Sequence, residues 1–270
     1  MTTLAMVELE RVERRVLGAL SVVDATTGTR ILDGLALEPA AGARLQRSGS
    51  GLYVIVRVDA LAAQESSFAP PTAPAVGSVA MSVRIADTFG RYLPRLATVA
   101  LPRDPTPADD PPASSLFVPV VLALYPSPSA RTGANWAALR VTATETHTGD
   151  ALGGALLSVT VAGNVVARGL TDWRGEALVA VPGIPVTTWS DDPGEVVAFE
   201  TAASVELLFD PAAGMRTPAA QVAAGKPPAT LPCVDPDAIA AQGASLHPVS
   251  VAASLATGRS QTLSLTLALP

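Results

Sequence analysis

Short apolar runs separated by turn residues are the feature that most limits how this chain can fold. The clearest runs span residues 16–23, 52–58, 78–85, 96–101 and 176–181. With 24 prolines and 21 glycines in 270 residues, turn formers are too frequent for a helical bundle. In the first half the turns recur at intervals of about 8–12 residues, which is typical of a β-sandwich. The pattern therefore predicts an all-β protein.

A segment rich in proline and aspartate divides the chain. Residues 103–112 contain four prolines and three aspartates, so this segment cannot form a central strand. Because such a segment is stiff and extended, we place a linker there. The predicted organisation is an N-terminal arm over 1–15, a first β-sandwich domain over 16–102, a linker over 103–115 and a second β-sandwich domain over 116–270. The apolar residues of the arm fit neither a helical nor a strand period cleanly; its charged and unbranched residues favour a short helix, and a β arm is the alternative.

The second half contains an apparent insertion at about 211–246. This stretch is rich in Ala, Pro and Gly and lacks the alternation of a strand, so it predicts a long loop. One short helix is expected near 235–242, where Asp235 could cap its first turn. The insertion is apolar for a linker, which suggests that a partner covers it.

The last part of the chain recovers a strong β pattern. A strand is expected over 249–255, and Thr257-Gly258 predicts a hairpin turn after it. Four leucines then alternate with small or polar residues, which places the leucines on one face of a strand. They are Leu263, Leu265, Leu267 and Leu269.

The two halves carry a weak internal repeat. Residues 20–28 and 139–149 each predict a strand that ends in a Thr-Gly turn, at Gly28 and Gly149. A Gly-containing apolar strand follows in both halves, at 33–37 and 153–157, and a later glycine precedes another strand. Duplication of one sandwich unit explains this order more simply than two unrelated folds.

One motif of the second half resembles a known family. Thr148-Gly149 leads into an alternating apolar strand, and Thr171-Asp-Trp-Arg-Gly175 precedes another strand. This pattern is similar to the carboxypeptidase regulatory-like domain, in which Thr171, Asp172 and Gly175 match the Thr-Asp-x-x-Gly motif. The resemblance covers about 138–269 and implies a transthyretin-like (prealbumin-type) sandwich. The first half departs from the motif, because Ser48-Gly-Ser-Gly51 stands at that place.

The resemblance and the pattern together predict two Ig-like or transthyretin-like sandwiches in tandem. The resemblance says nothing about catalysis, since members of the family act as accessory, adhesive or assembly modules. Independently of the family, Asp172 can accept backbone N–H groups across its turn, and Gly175 can adopt a positive φ.

Charge and hydropathy exclude several classes of function. The net charge is −6 and no cluster of Lys or Arg occurs, which excludes a typical nucleic-acid binder. No apolar run reaches the length needed to span a bilayer, so we expect no membrane insertion. Residues 1–9 lack the pattern of a secretory signal. We therefore expect cytoplasmic synthesis, with release only as part of a larger particle.

Candidate catalytic groups do not converge in the sequence. His147 belongs to a turn, His247 precedes a proline, and Cys233 is the single cysteine. Asp109-Asp110 and Asp191-Asp192 are expected to be solvated turns. No nucleophile elbow, metal-binding spacing or phosphate loop is present. We therefore expect no enzyme activity, no cofactor and no metal.

Three functional hypotheses remain. The first is a non-enzymatic structural protein that contacts other protein subunits, including copies of itself. Intracellular production and long Pro/Ala segments favour it, and by analogy the assembly would be a phage-tail-like contractile injection particle. The second is a peptide- or glycan-binding module that uses exposed aromatic side chains. The third and least favoured is a hydrolase with an accessory β domain. Candidate interaction residues are Trp136, Trp173 and Trp189. Tyr92 and Tyr125 are further candidates for the binding module.

Overall fold

The protein is mostly β-structure, as the sequence predicts. This is seen in a computed structural model, which describes residues 15–65, 73–184, 188–189, 196–197 and 200–269. The N-terminal arm therefore lies largely outside the described residues. The strands of the first half are β1 Gly18–Asp24, β2 Leu35–Pro39, β3 Ala43–Arg47, β4 Tyr53–Val58, β5 Val79–Asp87, β6 Arg95–Leu101 and β7 Val120–Leu124.

The strands that follow are mostly short. They are β8 Ala137–Glu145, β9 Ala151–Gly153, β10 Leu156–Val161, β11 Asn164–Leu170, β12 Glu176–Val181, β13 Thr188–Trp189, β14 Val196–Val197, β15 Thr201–Leu208, β16 Met215–Thr217, β17 Val249–Leu255 and β18 Ser260–Leu267. The helical segments are α1 Ala62–Glu65, α2 Ala219–Ala223, α3 Pro236–Gln242 and 3₁₀ turns at Asp59–Leu61 and Gly243–Leu246.

The chain divides into two compact units, each made of several segments. Unit 1 comprises Met1–Leu20, Ala41–Met81 and Ala100–Val120, and unit 2 comprises Ser21–Ala40, Ser82–Val99 and Val121–Pro270. These units are not consecutive halves, because the chain passes from one to the other several times. The domain boundaries at 16–102 and 116–270 and the linker at 103–115 stay predictions.

Unit 1 is built around the strands β3 and β4 and the start of β1. These strands are antiparallel, with Gly18 opposite Ile55 and Leu45 opposite Ile55 on the other side of β4. Leu20, Ile55 and Leu101 are fully buried. The segment 103–112 forms no strand, as its prolines predict, apart from an isolated bridge between Asp104 and Ser115.

Unit 2 contains a β-sandwich. One sheet has the strand order β11-β10-β15-β17, and the other has the order β12-β8-β9-β16 with β18 added beside β8. Alternate side chains of both sheets meet in one apolar core, where Leu139 and Val141 of β8 join Leu157 of β10 and Leu207 of β15. Alanine and valine supply most of the other core positions, which explains how so few aromatic residues suffice.

The C-terminal strands correct one prediction. The alternation of the leucines is confirmed, because Leu265 and Leu267 are buried in the core. The hairpin at Thr257-Gly258 is wrong: β17 pairs with β15, whereas β18 pairs in parallel with β8 in the opposite sheet. The turn, in which Gly258 has a φ of +70°, therefore carries the chain from one sheet to the other.

The insertion at 211–246 is more ordered than the sequence predicts. The helix near 235–242 is confirmed as α3, and the Asp235 carboxylate accepts the N–H groups of Asp237 and Ala238. The strand β16 and the helix α2 were not predicted, since neither has a clear periodicity. Val234 and Ile239 are buried against Leu156 and other apolar side chains of the same unit. The protein itself therefore covers these apolar residues, and their hydrophobicity does not require a partner.

The two Thr-Gly turns of the repeat have the same hydrogen-bond pattern. In the first, the Asp24 carboxylate accepts the N–H groups of Thr26 and Thr27, and the Gly28 N–H donates to the Asp24 carbonyl. In the second, Glu145 has the same role toward residues 147, 148 and 149. Gly28 and Gly149 both have a φ of +69°. The likeness supports duplication, which stays a prediction.

The turn at Glu145 leads to a prediction about pH. The carboxylate accepts the His147 N–H at 3.0 Å, the Thr148 hydroxyl at 2.7 Å and the Thr148 N–H at 2.6 Å. These bonds lower the pKa of Glu145 from 4.5 to about 2. Because the folded-state pKa is the lower one, Glu145 stabilises the fold above pH 4.5 and loses this contribution as the pH falls toward 2.

We therefore expect the stability of Glu145→Gln to depend less steeply on pH than that of the wild type across this range. Chemical unfolding at a series of acidic pH values measures both slopes. Glu38→Gln, which removes an exposed carboxylate, is the control for the loss of one surface charge. Equal slopes for the wild type and Glu145→Gln would contradict the assignment.

Candidate binding site

The Thr171–Gly175 turn is a rigid element of unit 2. The buried Thr171 hydroxyl accepts the Ala155 N–H at 2.8 Å and donates to the Leu152 carbonyl at 2.6 Å. Asp172 accepts the N–H groups of Arg174 and Glu176, and Gly175 has a φ of +71°. The structure thus shows the geometry that the sequence predicts for Asp172 and Gly175. The turn fixes the backbone on both sides of Trp173.

Trp173 lines a groove on unit 2. The groove has a volume of about 320 Å³, and its walls include Tyr92 from the loop after β5 and Leu231 from the insertion. Trp173 is half-buried, and Leu231 is 42% exposed. The apolar part of the lining includes three prolines: Pro94, Pro128 and Pro232. We call this the Trp173 groove.

A second groove adjoins the first. It has a volume of about 440 Å³ and is lined by Trp136, Phe89 and Arg131, and it shares Tyr92 and Ser127 with the Trp173 groove. Phe89 is 64% exposed, which is unusual for a large aromatic side chain on a small protein. We call this the Trp136 groove. Two of the predicted interaction residues, Trp136 and Trp173, thus lie on adjoining surfaces.

The charges around the grooves are arranged with the cations outward. The guanidinium-bearing side chains of Arg84, Arg91 and Arg174 are 44%, 43% and 38% exposed. Two carboxylate side chains beside them face inward, since that of Asp87 is 0% exposed and that of Asp172 is 8% exposed. Each of these arginines also pairs with an exposed carboxylate outside the lining: Arg84 with Glu38, Arg91 with Asp33 and Arg174 with Glu176. Arg131, by contrast, is exposed and forms no salt bridge with any described residue, so its guanidinium is available to a ligand.

The inward carboxylates are held there by backbone hydrogen bonds. Asp87 accepts the N–H groups of Phe89, Arg91 and Tyr92 at 2.7–3.3 Å. Burial alone would raise the pKa of Asp87, but the hydrogen bonds from the Arg91 side chain and from the backbone outweigh it and keep the pKa below its usual value. Asp87 therefore stays ionised and shapes the loop that presents Phe89 and Arg91.

Arginine and aromatic side chains stack at the rims of the grooves. The guanidinium carbon of Arg91 lies 4.9 Å from the ring centre of Phe89 and 5.8 Å from that of Tyr92, and Arg174 lies 5.9 Å from the ring centre of Trp173. Such cation–π contacts hold both groups in place. Rigid aromatic and arginine side chains are the residues that most often dominate binding energy at protein interfaces.

Tyr92 is fixed at the border of the two grooves. Its hydroxyl donates to the Asp24 carboxylate at 2.7 Å. Burial and this hydrogen bond raise the pKa of Tyr92, so the phenol stays protonated. Asp24 also caps the first Thr-Gly turn. The repeat turn and the groove therefore share one carboxylate.

No family model matches the chain. A comparison with curated proteins likewise finds no match.

The remaining candidate residues do not join the grooves. Tyr125 is 3% exposed and packs in the core. Its prediction as an interaction residue is therefore wrong. Trp189 lies in the short strand β13, and its side chain is outside the described residues, as are Asp191 and Asp192. The other predicted residues are placed on turns or loops, at His147, His247, Asp109 and Asp110.

Cys233 lies next to the lining residues Pro232 and Val234 and is partly buried. Burial raises the pKa of its thiol, and the neighbouring Arg84 opposes this effect. Within the described part of the chain, no group of three or more His, Cys, Asp or Glu side chains could hold a metal ion. None of the helices in the same residues has the length and hydropathy of a membrane span.

Sequence reasoning missed Phe89, Arg91 and Arg131. Phe89 lies in the stretch Asp87-Thr-Phe-Gly-Arg91, where an aromatic residue sits among turn residues. That arrangement was the available signal, because a large apolar side chain in a polar turn must either be exposed or be covered by a distant segment. The contribution of residues 126–136 and 231–234 to the same surface comes from tertiary structure.

Proposed function

We propose that this protein acts without catalysis, as a subunit that binds other proteins through the two adjoining grooves of unit 2. The observation that carries the proposal is a pair of adjoining grooves lined by aromatic rings, with the exposed Phe89 at one rim and Arg131, which forms no salt bridge with any described residue, beside it. A surface of this composition is typical of interface hot spots. It favours a partner with acidic and apolar side chains.

The carboxylates of the grooves are already engaged in holding the fold. Asp172 and Asp87 accept backbone N–H groups and the side chains of Arg174 and Arg91, and Asp24 accepts the Tyr92 hydroxyl. A general base must be free to reach a substrate proton, and these carboxylates are committed elsewhere. The arrangement therefore supports recognition and gives no support to the hydrolase hypothesis.

A polypeptide suits this surface better than a glycan. Glycan sites combine aromatic rings with polar groups that exchange hydrogen bonds with sugar hydroxyls, and the carboxylates here already accept hydrogen bonds from the protein itself. The exposed guanidinium group of Arg131 instead suits a carboxylate side chain, with which arginine forms two parallel hydrogen bonds. The apolar walls suit prolines and other apolar side chains.

The identity of the assembly is a separate proposal. We propose that the partners are subunits of a phage-tail-like contractile injection particle, in which a transthyretin-like accessory domain of the carboxypeptidase regulatory-like type would connect neighbouring parts. This rests on the resemblance of Thr171-Asp-x-x-Gly175 and its surroundings and on analogy with the company that such domains keep.

Binding to defined probes tests the function of the grooves. The probes are fluorescent synthetic peptides of equal length with acidic, neutral or basic side chains, together with neutral and acidic oligosaccharides. We expect the acidic peptides to bind, with an affinity that falls as salt is added. Trp173→Ala should weaken binding by about 30-fold, the loss that a Trp hot spot typically shows.

Phe117→Ala is the matched control, because Phe117 is an aromatic residue of unit 1 that is 60% exposed. It should leave the affinity unchanged. Binding of oligosaccharides in preference to every peptide would overturn the proposal in favour of a glycan-binding module. An unchanged affinity of Trp173→Ala would show that the groove is not the site.

A further inference from the structure

A loop of unit 1 has the chemistry that the grooves require. The two ends of the segment 104–115 are held together by hydrogen bonds. The Asp104 N–H donates to the Ser114 carbonyl at 3.0 Å, and the Leu116 N–H donates to the Asp104 carbonyl at 2.7 Å. The Arg103 side chain also donates to the Ala113 carbonyl. We call residues 104–115 the acidic loop.

The tip of the acidic loop is exposed and stiff. Residues 106–110 are all exposed, and they carry the adjacent carboxylates of Asp109 and Asp110. Prolines at 105, 107, 111 and 112 restrict the backbone to extended conformations. Such a segment loses little conformational entropy on binding, so it docks at lower cost than a flexible peptide.

The aromatic lining and the charge of the grooves are complementary to this proline-rich, acidic loop. Aromatic-lined grooves receive proline-rich extended segments, with the rings of Trp and Tyr packing against prolines. In the Trp173 groove, Trp173 and Tyr92 supply these rings. In the Trp136 groove, Arg131 is exposed and forms no salt bridge with any described residue. The carboxylates of Asp109 and Asp110 can pair with the guanidinium group of Arg131.

We infer that the partner of the grooves is a second copy of this chain, whose acidic loop docks on the Trp173 and Trp136 grooves. The inference rests on the proposed function, for which it names the partner. Each molecule then carries one groove surface and one loop, so the contact joins two different surfaces of the two copies. The contact is small, and therefore weak and reversible between two isolated copies. Repetition in an assembly would strengthen it.

Sedimentation velocity over a range of protein concentrations tests the inference. We expect the wild type to associate as the concentration rises, and to associate less at high salt. Trp173→Ala and the double variant Asp109→Lys/Asp110→Lys should each weaken association by about 10-fold or more. Leu231→Glu, at a groove residue that is 42% exposed, provides a second groove variant if Trp173→Ala does not fold. Asp59→Lys, at an exposed carboxylate of unit 1, is the matched charge control and should associate like the wild type.

Mixing the two defective variants gives the decisive result. The groove variant retains an intact loop, and the loop variant retains an intact groove, so an equimolar mixture should form a dimer and no larger species. A wild type that stays monomeric at every concentration would overturn the inference, and so would a mixture that forms no dimer.

A synthetic peptide with the sequence of residues 103–112 separates this inference from the proposed function. If other acidic peptides bind the groove while this peptide does not and the protein stays monomeric, the second copy is not the partner and the proposed function stands. If no peptide of any charge binds, both proposals fail.

Discussion

Gly175→Val should lower the free energy of unfolding of unit 2 by about 4 kcal/mol. Gly175 has a φ of +71°, which costs a non-glycine residue about 1–2 kcal/mol. A Cβ atom there would also overlap the carbonyl oxygen of Ala143 and lie 3.2 Å from the Leu152 nitrogen. These are backbone atoms of β8 and β9, so neither can rotate away, and the repulsion adds about 1–3 kcal/mol. Calorimetry of the two proteins measures the difference.

Gly149→Val is the matched control for backbone strain. Gly149 has nearly the same φ, +69°, but a Cβ atom at this position would meet no atom within 4 Å. The decrease in the free energy of unfolding of Gly149→Val should therefore contain the conformational cost alone. The difference between the two variants then isolates the clash with β8 and β9. Equal destabilisation by both substitutions would show that Gly175 is required only for its φ.

Arg95→Met should lower the free energy of unfolding by about 3 kcal/mol, as expected when one partner of a buried ion pair is removed. The Arg95 side chain is 1% exposed. Its guanidinium donates to the Asp237 carboxylate at 2.7 Å, to the Asp235 carboxylate at 3.4 Å and to the Ala123 carbonyl at 2.9 Å. The substitution would leave the Ala123 carbonyl and the Asp235 carboxylate without this partner. It would also free the start of α3 from β6.

Arg84→Met serves as the control, because Arg84 lies on the neighbouring strand β5 and its side chain is 44% exposed. Its ion pair with Glu38 is 3.7 Å long, and surface pairs of this kind contribute about 0–1 kcal/mol. Denaturant unfolding followed by tryptophan fluorescence measures both variants. Equal losses would mean that the burial of Arg95 adds nothing to its ion pair.

The strands could be predicted because their signal is local. In β5 the sequence has a period of two, and Met81, Val83 and Ile85 are buried as it predicts. In β6 the burial also alternates from Arg95 to Leu101, although the exposed Leu96 is apolar and the buried Arg95 is charged. Alternation in β6 places this charged residue on the face of Ala97, Val99 and Leu101, where an unpaired charge is too costly to bury. A partner was therefore required, but nothing local could show that it lies about 140 residues further along the chain.

Pairing and site assembly could not be predicted for the same reason. Whether β18 joins β17 or β8 depends on which sheet leaves an open edge, and the turn at Thr257-Gly258 is compatible with both outcomes. The grooves combine separate parts of the sequence, which include residues around 24–26, 84–94, 126–136, 170–180 and 231–234. The sequence identified Trp136 and Trp173 by residue type, but their neighbours follow from the tertiary fold.

The parallel pairing of β18 with β8 has a consequence for synthesis of the protein. Ser260 lies opposite Ala138, so the partner of β8 is made about 120 residues later. At translation rates of about 5–20 residues per second, the edge of β8 waits for roughly 6–24 s. Until β18 is made, Leu139 and Val141 have at most β12 beside them in the sheet, and an unpaired apolar edge can pair with other chains. Slow translation would therefore prolong the period in which this protein most needs a chaperone.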